Sequence, residues 1–148
     1  IDVWSHALIE SEKYYKTVFN ISILLEPSSP FRKSEHVTQT VEKLIEGNFD
    51  SVFTVSKTDS KSHPLKQFVL NDEEIKFYDD RGEDIVARQE LEPVYHRNGI
   101  AYAATRECLL HQKAIIGKQS SAISINEPVV NIDTQFDLEF ARFLFSSR

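Results

Sequence analysis

The sequence predicts a single α/β domain, residues 1–148, built around a mostly parallel β-sheet. The chain has 148 residues, of which 41% are hydrophobic, and this is enough material for one packed core. Short apolar runs rich in β-branched residues alternate with segments whose apolar residues recur at helical spacing. One strand–helix–strand succession spans residues 21–55, which is typical of a βαβ unit with a right-handed crossover.

The first third of the chain alternates helix and strand. Apolar residues at helical spacing predict a first helix over residues 3–18. The run 21–25 predicts a strand that is buried on both faces, as strands of parallel sheets are. A second helix is predicted to begin with Ser34 as its N-cap and to end at Gly47. Residues 51–55 predict the strand that completes the βαβ unit.

The middle of the chain is predicted to leave the α/β core. Residues 66–70 and 75–78 flank an acidic turn and predict a β-hairpin, which a Gly-containing acidic loop follows to about Glu92. Residues 71–92 hold nine acids against three bases, a net charge of −6, which equals the charge of the whole chain. The remainder is therefore neutral overall, and the strongly basic face of a nucleic-acid-binding protein is not expected.

The last third of the chain predicts a return to the core. We expect a strand over residues 99–104, a short helix over 106–110, a strand over 121–125 and a closing helix. Thr134 and Asp137 resemble a capping box at the start of that helix. Its apolar residues are predicted to share one face: Phe136, Phe140, Phe143 and Leu144.

Composition and motif content exclude several classes of protein. The sequence has no apolar run near the ~18 residues of a membrane span and no signal-like segment, so a cytoplasmic location is expected. The single cysteine, Cys108, excludes a disulfide scaffold and a zinc finger, and we expect it to be buried. GxSxG and HExxH motifs are absent from the sequence. Because the chain has no Met and begins at Ile1, we expect a fragment of a longer gene product.

Polar residues that follow predicted strands are the first candidates for ligand binding, because ligands bind outside the carboxyl ends of strands in open α/β sheets. Three segments qualify: residues 26–32, 95–99 and 131–134. In the first, Ser28 and Ser29 offer hydroxyl groups on a proline-containing loop, and Arg32 offers a bidentate fork for carboxylate or phosphate. The alternative is an ordinary Pro-Ser turn with a solvated arginine.

The second and third segments suit different ligands. His96, Arg97 and Asn98 bring cationic and amide groups to the start of a buried strand, which suits a carbohydrate or carboxylate but also suits a simple turn. Asn131 and Asp133 alternate onto one side of an extended segment before the last helix. Their oxygens suit Mg²⁺. The plainer alternative is that Asp133 only favours the positive end of the helix.

Five motifs occur in order along nearly the whole chain: residues 24–32, 63–64, 88–95, 98–102 and 132–134. Together they resemble the acylneuraminate cytidylyltransferases, that is, the CMP-sialic acid synthetases and their relatives. Members of that family join CTP and a nine-carbon sugar acid, with Mg²⁺, to give a CMP-sugar and pyrophosphate. The resemblance implies a Rossmann-like nucleotidyltransferase three-layer sandwich, a homodimer, and Mg²⁺ as the cofactor.

The resemblance also implies roles for individual residues. Those that would contact substrate on the sugar side of the cleft are Glu26, Ser28, Ser29, His96, Arg97, Asn98 and Tyr102. Asp133 and Arg32 would be catalytic, and Asp133 would hold Mg²⁺ with Asn131 beside it. Residues 66–92 would correspond to a dimerisation element, whose Arg88 would reach the site of the partner subunit.

Four departures from the family's pattern keep alternatives open. The Gly-rich basic loop that cradles CTP is absent from this chain, so we expect the chain alone to be inactive. The family usually has Gln at the position of Glu26 and Asp at that of Asn131, and its arginine before Asn98 falls on His96, with Arg97 adjacent. A cytidylyltransferase for another ulosonic acid (legionaminic, pseudaminic or KDO-like) is one alternative. A non-catalytic α/β module that has lost its metal site is the other, and Asn131 favours it.

Overall fold

The structure is a computed structural model that describes residues 1–147. It divides into two compact units, one formed by residues 1–55 with the chain from residue 97 onward, the other by Ser56–His96. The predicted hairpin excursion, residues 66–92, lies inside the second unit. Its assignment as a dimerisation element stays a prediction.

The sheet of the first unit has four strands in the order β1-β5-β2-β6. The strands are β1 (Ile21–Leu24), β2 (Ser51–Lys57), β5 (Tyr95–Thr105) and β6 (Ser120–Ser124). β1 pairs antiparallel with β5, and β2 pairs parallel with β6. β5 also runs antiparallel to β2, since Thr105 N–H donates to Asp50 O while Ala101 N–H donates to Thr54 Oγ1.

The sheet is therefore mixed, and the predicted mostly parallel sheet is wrong. β1 and β2 run in the same direction, as a βαβ unit requires, but β5 lies between them and pairs antiparallel with both. β1 is consequently an edge strand of the described sheet, with Ile23 38% exposed, rather than a strand buried on both faces. The α/β class is confirmed. The three-layer Rossmann-like sandwich stays a prediction.

Four helices accompany the sheet, and their ends show which local signals were correct. They are α1 (Asp2–Tyr15), α2 (Ser34–Glu46), α3 (Arg106–Leu110) and α4 (Gln135–Ser146). The N-cap of α2 is Lys33, one residue before the predicted Ser34, because the His36 imidazole accepts the Lys33 N–H. Gly47 is the C-cap, as predicted. Thr134 and Asp137 form the predicted capping box of α4.

The main core cluster lies between α1, the central strand and α3. Five side chains of this cluster are at least 93% buried: Trp4, Leu8, Tyr102, Cys108 and Leu109. Burial of each large apolar side chain contributes roughly 1.5–3 kcal/mol, so this cluster anchors α1 and α3 to the sheet. The predicted burial of Cys108 is confirmed.

The apolar face predicted for α4 is largely exposed. Phe136, Phe140 and Phe143 are 77%, 44% and 64% exposed. The helix instead packs through Ala141, against Phe31 and Val130, and the partly buried Leu144 joins this cluster. Of the four residues predicted to share the apolar face, Leu144 packs as expected, whereas the three phenylalanines are exposed.

The second unit contains the predicted hairpin, made of β3 (Phe68–Asn71) and β4 (Glu74–Phe77). Phe68 lies opposite Phe77 with ring centroids 4.6 Å apart, and Asp72 adopts a left-handed conformation in the turn. His63 of this unit is buried, and its Nδ1 accepts the Leu65 N–H while its Nε2 donates to Glu92 O. Among the described residues, no helix is both long and apolar enough to cross a membrane.

Candidate functional site

Three separate segments of the first unit meet around Gly99. Gly99 has a φ of 73°, in the left-handed region that favours glycine. A Cβ at this position would lie 2.5 Å from Glu26 Oε2, 2.8 Å from Ser29 Oγ and 3.2 Å from Asn131 Oδ1. The glycine therefore allows side-chain oxygens from the loop after β1 and from the segment before α4 to approach the β5 backbone together.

The serine loop and the segment before α4 are joined directly. Ser28 Oγ donates to Asn131 Oδ1 at 2.6 Å, and Ser29 Oγ donates to the same oxygen at 3.3 Å. A main-chain bond from Ile132 N–H to Ser28 O, 2.9 Å long, runs alongside them. The structure thus brings Ser28, Ser29 and Asn131 together, while their roles in binding substrate or metal stay predictions.

The hydrogen bonds continue from Asn131 to Asp133, whose carboxylate receives the Asn131 Nδ2–H at 2.9 Å. The helix cap does not use this carboxylate: Asp137 Oδ2 accepts the N–H groups of both Thr134 and Asp133. These bonds, above all the Thr134 hydroxyl, lower the pKa of Asp137. Thr134 and Asp137 therefore cap the helix, and Asp133 is not needed for that purpose. The exposed Asp133 carboxylate is thus available for a ligand.

Arg32 is directed at the main chain. Its Nε donates to Ile100 O at 2.5 Å, and its Nη2 donates to Glu26 O and, at 3.5 Å, to Gly99 O. These bonds tie the serine loop to β5, so Arg32 positions the loop. The sequence suggested that the Arg32 guanidinium would face a substrate anion, but here it donates to main-chain carbonyls. A catalytic role for Arg32 stays a prediction.

Asn98 is held by a buried threonine that the sequence analysis did not single out. Thr54, fully buried on β2, donates from Oγ1 to Asn98 Oδ1 at 2.6 Å and accepts the Ala101 N–H at 3.0 Å. Asn98 Oδ1 also accepts the Ile100 N–H at 3.3 Å. The amide oxygen of Asn98 therefore faces this cluster. A polar β-branched residue within the strand run 51–55 was the available signal.

Tyr102 is an electrostatic neighbour of both Glu26 and Arg97. Burial, followed by the Glu26 carboxylate, raises the pKa of the Tyr102 phenol, and the Arg97 guanidinium acts in the opposite direction. Tyr102 is 6% exposed, and the Arg97 side chain is exposed. The phenol is therefore kept protonated near the Glu26 carboxylate, as a hydrogen-bond donor should be.

His96 and Arg88 belong to the second unit. The His96 ring is 3.0 Å from Thr58 Oγ1. Arg88 and the buried His63 line a cavity of about 320 Å³ within that unit, together with Lys57, Glu92 and other residues of the same unit. The substrate role of His96 and the partner-site role of Arg88 stay predictions.

A second connection joins the same two loops near the start of α2, and the sequence analysis did not find it. Glu127 accepts from Lys33 Nζ at 2.8 Å and from His36 Nε2 at 2.7 Å. Lys33 and His36 both lower the pKa of Glu127 through these contacts. Because the pairing is long-range, no sequence spacing could have indicated it.

The fit of the site to Mg²⁺ depends on its oxygen donors. Asp133 and Asn131 offer a carboxylate and an amide oxygen, which are hard ligands of the kind that Mg²⁺ takes alongside water and phosphate. Among residues 1–147, no group of three or more His, Cys, Asp and Glu side chains is placed to hold a metal. Magnesium as the cofactor therefore stays a prediction, as do Asp133 and Asn131 as the residues that would hold it.

No family model matches the chain. Post-translational flagellin modification protein B of Campylobacter coli is 24% identical over 149 residues, which cover 100% of this chain and 62% of that protein. An N-acylneuraminate cytidylyltransferase of Escherichia coli O18:K1:H7 is 30% identical over 125 residues, 80% of this chain and 28% of that protein.

The CMP-N,N'-diacetyllegionaminic acid synthase of Legionella pneumophila is 26% identical over 132 residues, 83% of this chain and 52% of that protein. The chain therefore spans less than two thirds of the length of each of these relatives. The likeness extends over most of this chain and includes proteins named for the activity that the motifs indicated. The predicted resemblance to the acylneuraminate cytidylyltransferases is thereby confirmed.

Proposed function

We propose that the full-length protein transfers CMP from CTP to a sialic-acid-like nine-carbon sugar acid, with release of pyrophosphate, in the cytoplasm. One observation carries the proposal: the serine loop, Gly99 on β5 and the segment Asn131–Asp133 meet in one place. Those are three of the motifs on which the family resemblance rests.

The residues of this chain would bind and orient the sugar acid. Nucleotidyl transfer needs chiefly alignment of the reacting atoms and neutralisation of charge. Ser28, Ser29 and Tyr102 offer hydroxyl groups for the sugar, and Arg32 keeps their loop fixed to β5. Arg97, which is exposed, offers a cation to the sugar carboxylate.

Asp133, with Asn131 beside it, would hold Mg²⁺, which when bound neutralises charge on the triphosphate. The anomeric hydroxyl of the sugar forms a bond to the α-phosphorus as the bond to pyrophosphate breaks, and the hydroxyl loses its proton. The Asn131 amide cannot accept that proton. On this segment only a carboxylate such as Asp133 can do so.

The choice of sugar acid divides the proposal into two candidates. Relatives of this chain are named as acting on N-acylneuraminate and on N,N'-diacetyllegionaminic acid. Glu26 replaces the glutamine usual in the family and lies within the site, so selectivity for the sugar would differ from that of a sialic acid enzyme. A legionaminic-type or related ulosonic acid is therefore the second candidate substrate.

We also propose that the protein is a homodimer that associates through the second unit. Leu70, Ile75 and Val86 of this unit are 68%, 64% and 92% exposed. Apolar side chains exposed to this extent on one small unit are typical of an interface. Replacing Leu70 and Ile75 with aspartate should convert a dimer to a monomer in light scattering, and an unchanged mass would contradict this assignment.

Pyrophosphate release from CTP tests the function. The full-length protein is assayed with N-acetylneuraminic, legionaminic, pseudaminic and KDO-type acids, with and without Mg²⁺. We expect turnover of at least one acid, and Asp133→Asn should lower kcat at least about a hundredfold if the carboxylate holds the metal. Asp2→Asn, a matched change at a distant position of α1, should leave turnover unaltered.

The outcomes separate the hypotheses. Absence of turnover with every sugar acid would contradict the enzyme assignment and favour the non-catalytic module. In that case Asn131→Asp should create Mg²⁺-dependent pyrophosphate release. Normal turnover by Asp133→Asn would remove Asp133 from the metal site.

A further inference from the structure

One buried hydroxyl group on β2 is hydrogen-bonded to the chain on both sides of Gly99. Thr54 Oγ1 donates at 2.6 Å to Asn98 Oδ1, on the residue before the glycine, and accepts at 3.0 Å the N–H of Ala101, two residues after it. Asn98 Oδ1 also accepts the Ile100 N–H at 3.3 Å. These three bonds, which we call the Thr54 network, flank Gly99 in sequence and are anchored on β2.

The Thr54 network is shielded from water. Thr54 and Ala101 have no exposed surface, and Asn98 is 5% exposed. In surroundings of low dielectric constant a hydrogen bond is stronger than in water, and an unpaired polar group is more costly. Removal of the hydroxyl group would therefore withdraw one hydrogen-bond partner on each side of Gly99 with no solvent to replace it.

Gly99 depends on its neighbours for its conformation. Its φ of 73° lies in the left-handed region. Glycine populates positive and negative φ about equally, so the residue itself does not select this conformation. Arg32 contacts the carbonyl oxygens of Gly99 and Ile100, but it comes from the loop after β1, which is one of the segments that meet at Gly99. Thr54 lies outside those segments, so it is an independent anchor.

The position of Gly99 determines how closely the segments of the candidate site approach one another. A Cβ on this residue would lie within 3.2 Å of side-chain oxygens of Glu26, Ser29 and Asn131. A shift of the Gly99 backbone would therefore change the spacing of these oxygens. In an active site, a misplacement of about 1 Å caused by a change far from the chemistry can cost about a hundredfold in rate.

We propose that Thr54 is a positioning residue of the sugar-acid site: the Thr54 network holds Gly99 where the three site segments meet. The inference rests on the proposed function. Thr54 has no surface with which to contact a substrate, so its effect must reach the sugar acid through the placement of the residues around Gly99. The hydroxyl group carries this effect, whereas the methyl group contributes only packing.

Steady-state kinetics of the full-length protein test this inference, with the sugar acid that the wild type uses best. Thr54→Val keeps the shape of the side chain and removes the hydroxyl group, and we expect kcat/KM for the sugar acid to fall at least about tenfold. Thr54→Ser keeps the hydroxyl group and should stay close to the wild-type value. Val52→Ala is the matched control: it removes buried packing from the same strand outside the Thr54 network, so it should lower stability and leave kcat/KM unaltered.

A double-mutant cycle with Asn98→Ala shows whether the two side chains act as one unit. This substitution removes the oxygen that accepts the Thr54 hydroxyl. The double variant Thr54→Val/Asn98→Ala should therefore have a kcat/KM no lower than that of the less active single variant. Should Thr54→Val not fold, Asn98→Ala alone must lower kcat/KM at least about tenfold. Thermal unfolding of each variant verifies that the protein being assayed is folded.

Three results would overturn the inference. They are a wild-type kcat/KM in Thr54→Val or in the Asn98→Ala variant that replaces it, an equal loss in Val52→Ala, and losses that multiply in the double variant. The second would show that any destabilisation of the first unit lowers turnover. Failure of the proposed function is distinguishable, because the wild-type protein would then release no pyrophosphate from CTP with any sugar acid.

Discussion

Removal of the Thr54 hydroxyl should destabilise the first unit, and the structure gives the size of the effect. Thr54→Val keeps the shape of the side chain but takes away the donor for Asn98 Oδ1 and the acceptor for the Ala101 N–H. Thr54 and Ala101 have no exposed surface, so water cannot replace the lost partners. An unsatisfied buried group costs about 1–3 kcal/mol, and we expect the free energy of unfolding to fall by ~2 kcal/mol.

Thr54→Ser is the matched control. Serine keeps both hydrogen bonds and loses only a buried methyl group, which costs ~1 kcal/mol. The loss in the valine variant therefore measures the polar contribution, and the loss in the serine variant measures the contribution of the methyl group. The two substitutions together separate loss of the hydroxyl from loss of packing.

Urea unfolding followed by tryptophan fluorescence measures both variants. Trp4 is the only tryptophan and lies in the core of the same unit as Thr54, so its emission reports the unit that the substitution affects. With a slope of about 1–3 kcal/mol per M for urea, a loss of ~2 kcal/mol lowers the midpoint by about 1 M. A midpoint of Thr54→Val equal to or above that of Thr54→Ser would refute the reasoning.

Three further predictions concern other features. Gly99→Ala should lose roughly 1–2 kcal/mol from the left-handed backbone alone, and the new Cβ, 2.5 Å from Glu26 Oε2, must also displace that carboxylate, so the midpoint of urea unfolding should fall below that of the wild type. The hydrogen bonds from Arg81 lower the pKa of Asp79 to about 2. Any stability linked to that shift is complete above the ordinary pKa of aspartate and is lost as pH falls toward 2, and Arg81→Ala should return the pKa toward its usual range in an NMR titration. Burial raises the pKa of the Cys108 thiol, so at pH 8 Ellman's reagent should modify it far faster in urea than in buffer; equal rates would contradict its burial.

Local sequence signals predicted most secondary-structure elements, but they could not predict how distant strands pair. Periodicity and caps predicted α2, the capping box of α4 and the hairpin within a few residues. The antiparallel insertion of β5 between β1 and β2 could not be predicted, because the sequence of a buried strand does not indicate whether it pairs parallel or antiparallel with its neighbours. For α4, an aromatic face at helical spacing indicated burial, although Phe136 and Phe143 are exposed.

The candidate site was predicted in outline but not in its connections. Ser28 and Asn131 were predicted as site residues because polar residues that follow strands meet at one edge of a sheet. In the structure Ser28 Oγ lies 2.6 Å from Asn131 Oδ1. The sequence suggested a substrate-directed fork for Arg32, whereas its Nε and Nη2 donate to main-chain carbonyls. Main-chain acceptors carry no sequence signature, which is also why the contribution of Thr54 to Asn98 went unrecognised.

The loops of the candidate site are held partly by hydrogen bonds to the main chain, and such bonds do not depend on the side chain of the residue whose main chain they contact. The serine loop is joined to β5 by the Arg32 bonds to main-chain carbonyls, and it is joined to the segment before α4 by the bond from Ile132 N–H to Ser28 O. Neither connection depends on the side chains at positions 26 and 131. These backbone connections would remain if the side chains at positions 26 and 131 changed, whereas the hydrogen bonds from Ser28 and Ser29 depend on the Asn131 side chain. A layout fixed mainly through the backbone in this way is compatible with relatives only 24–30% identical to the chain.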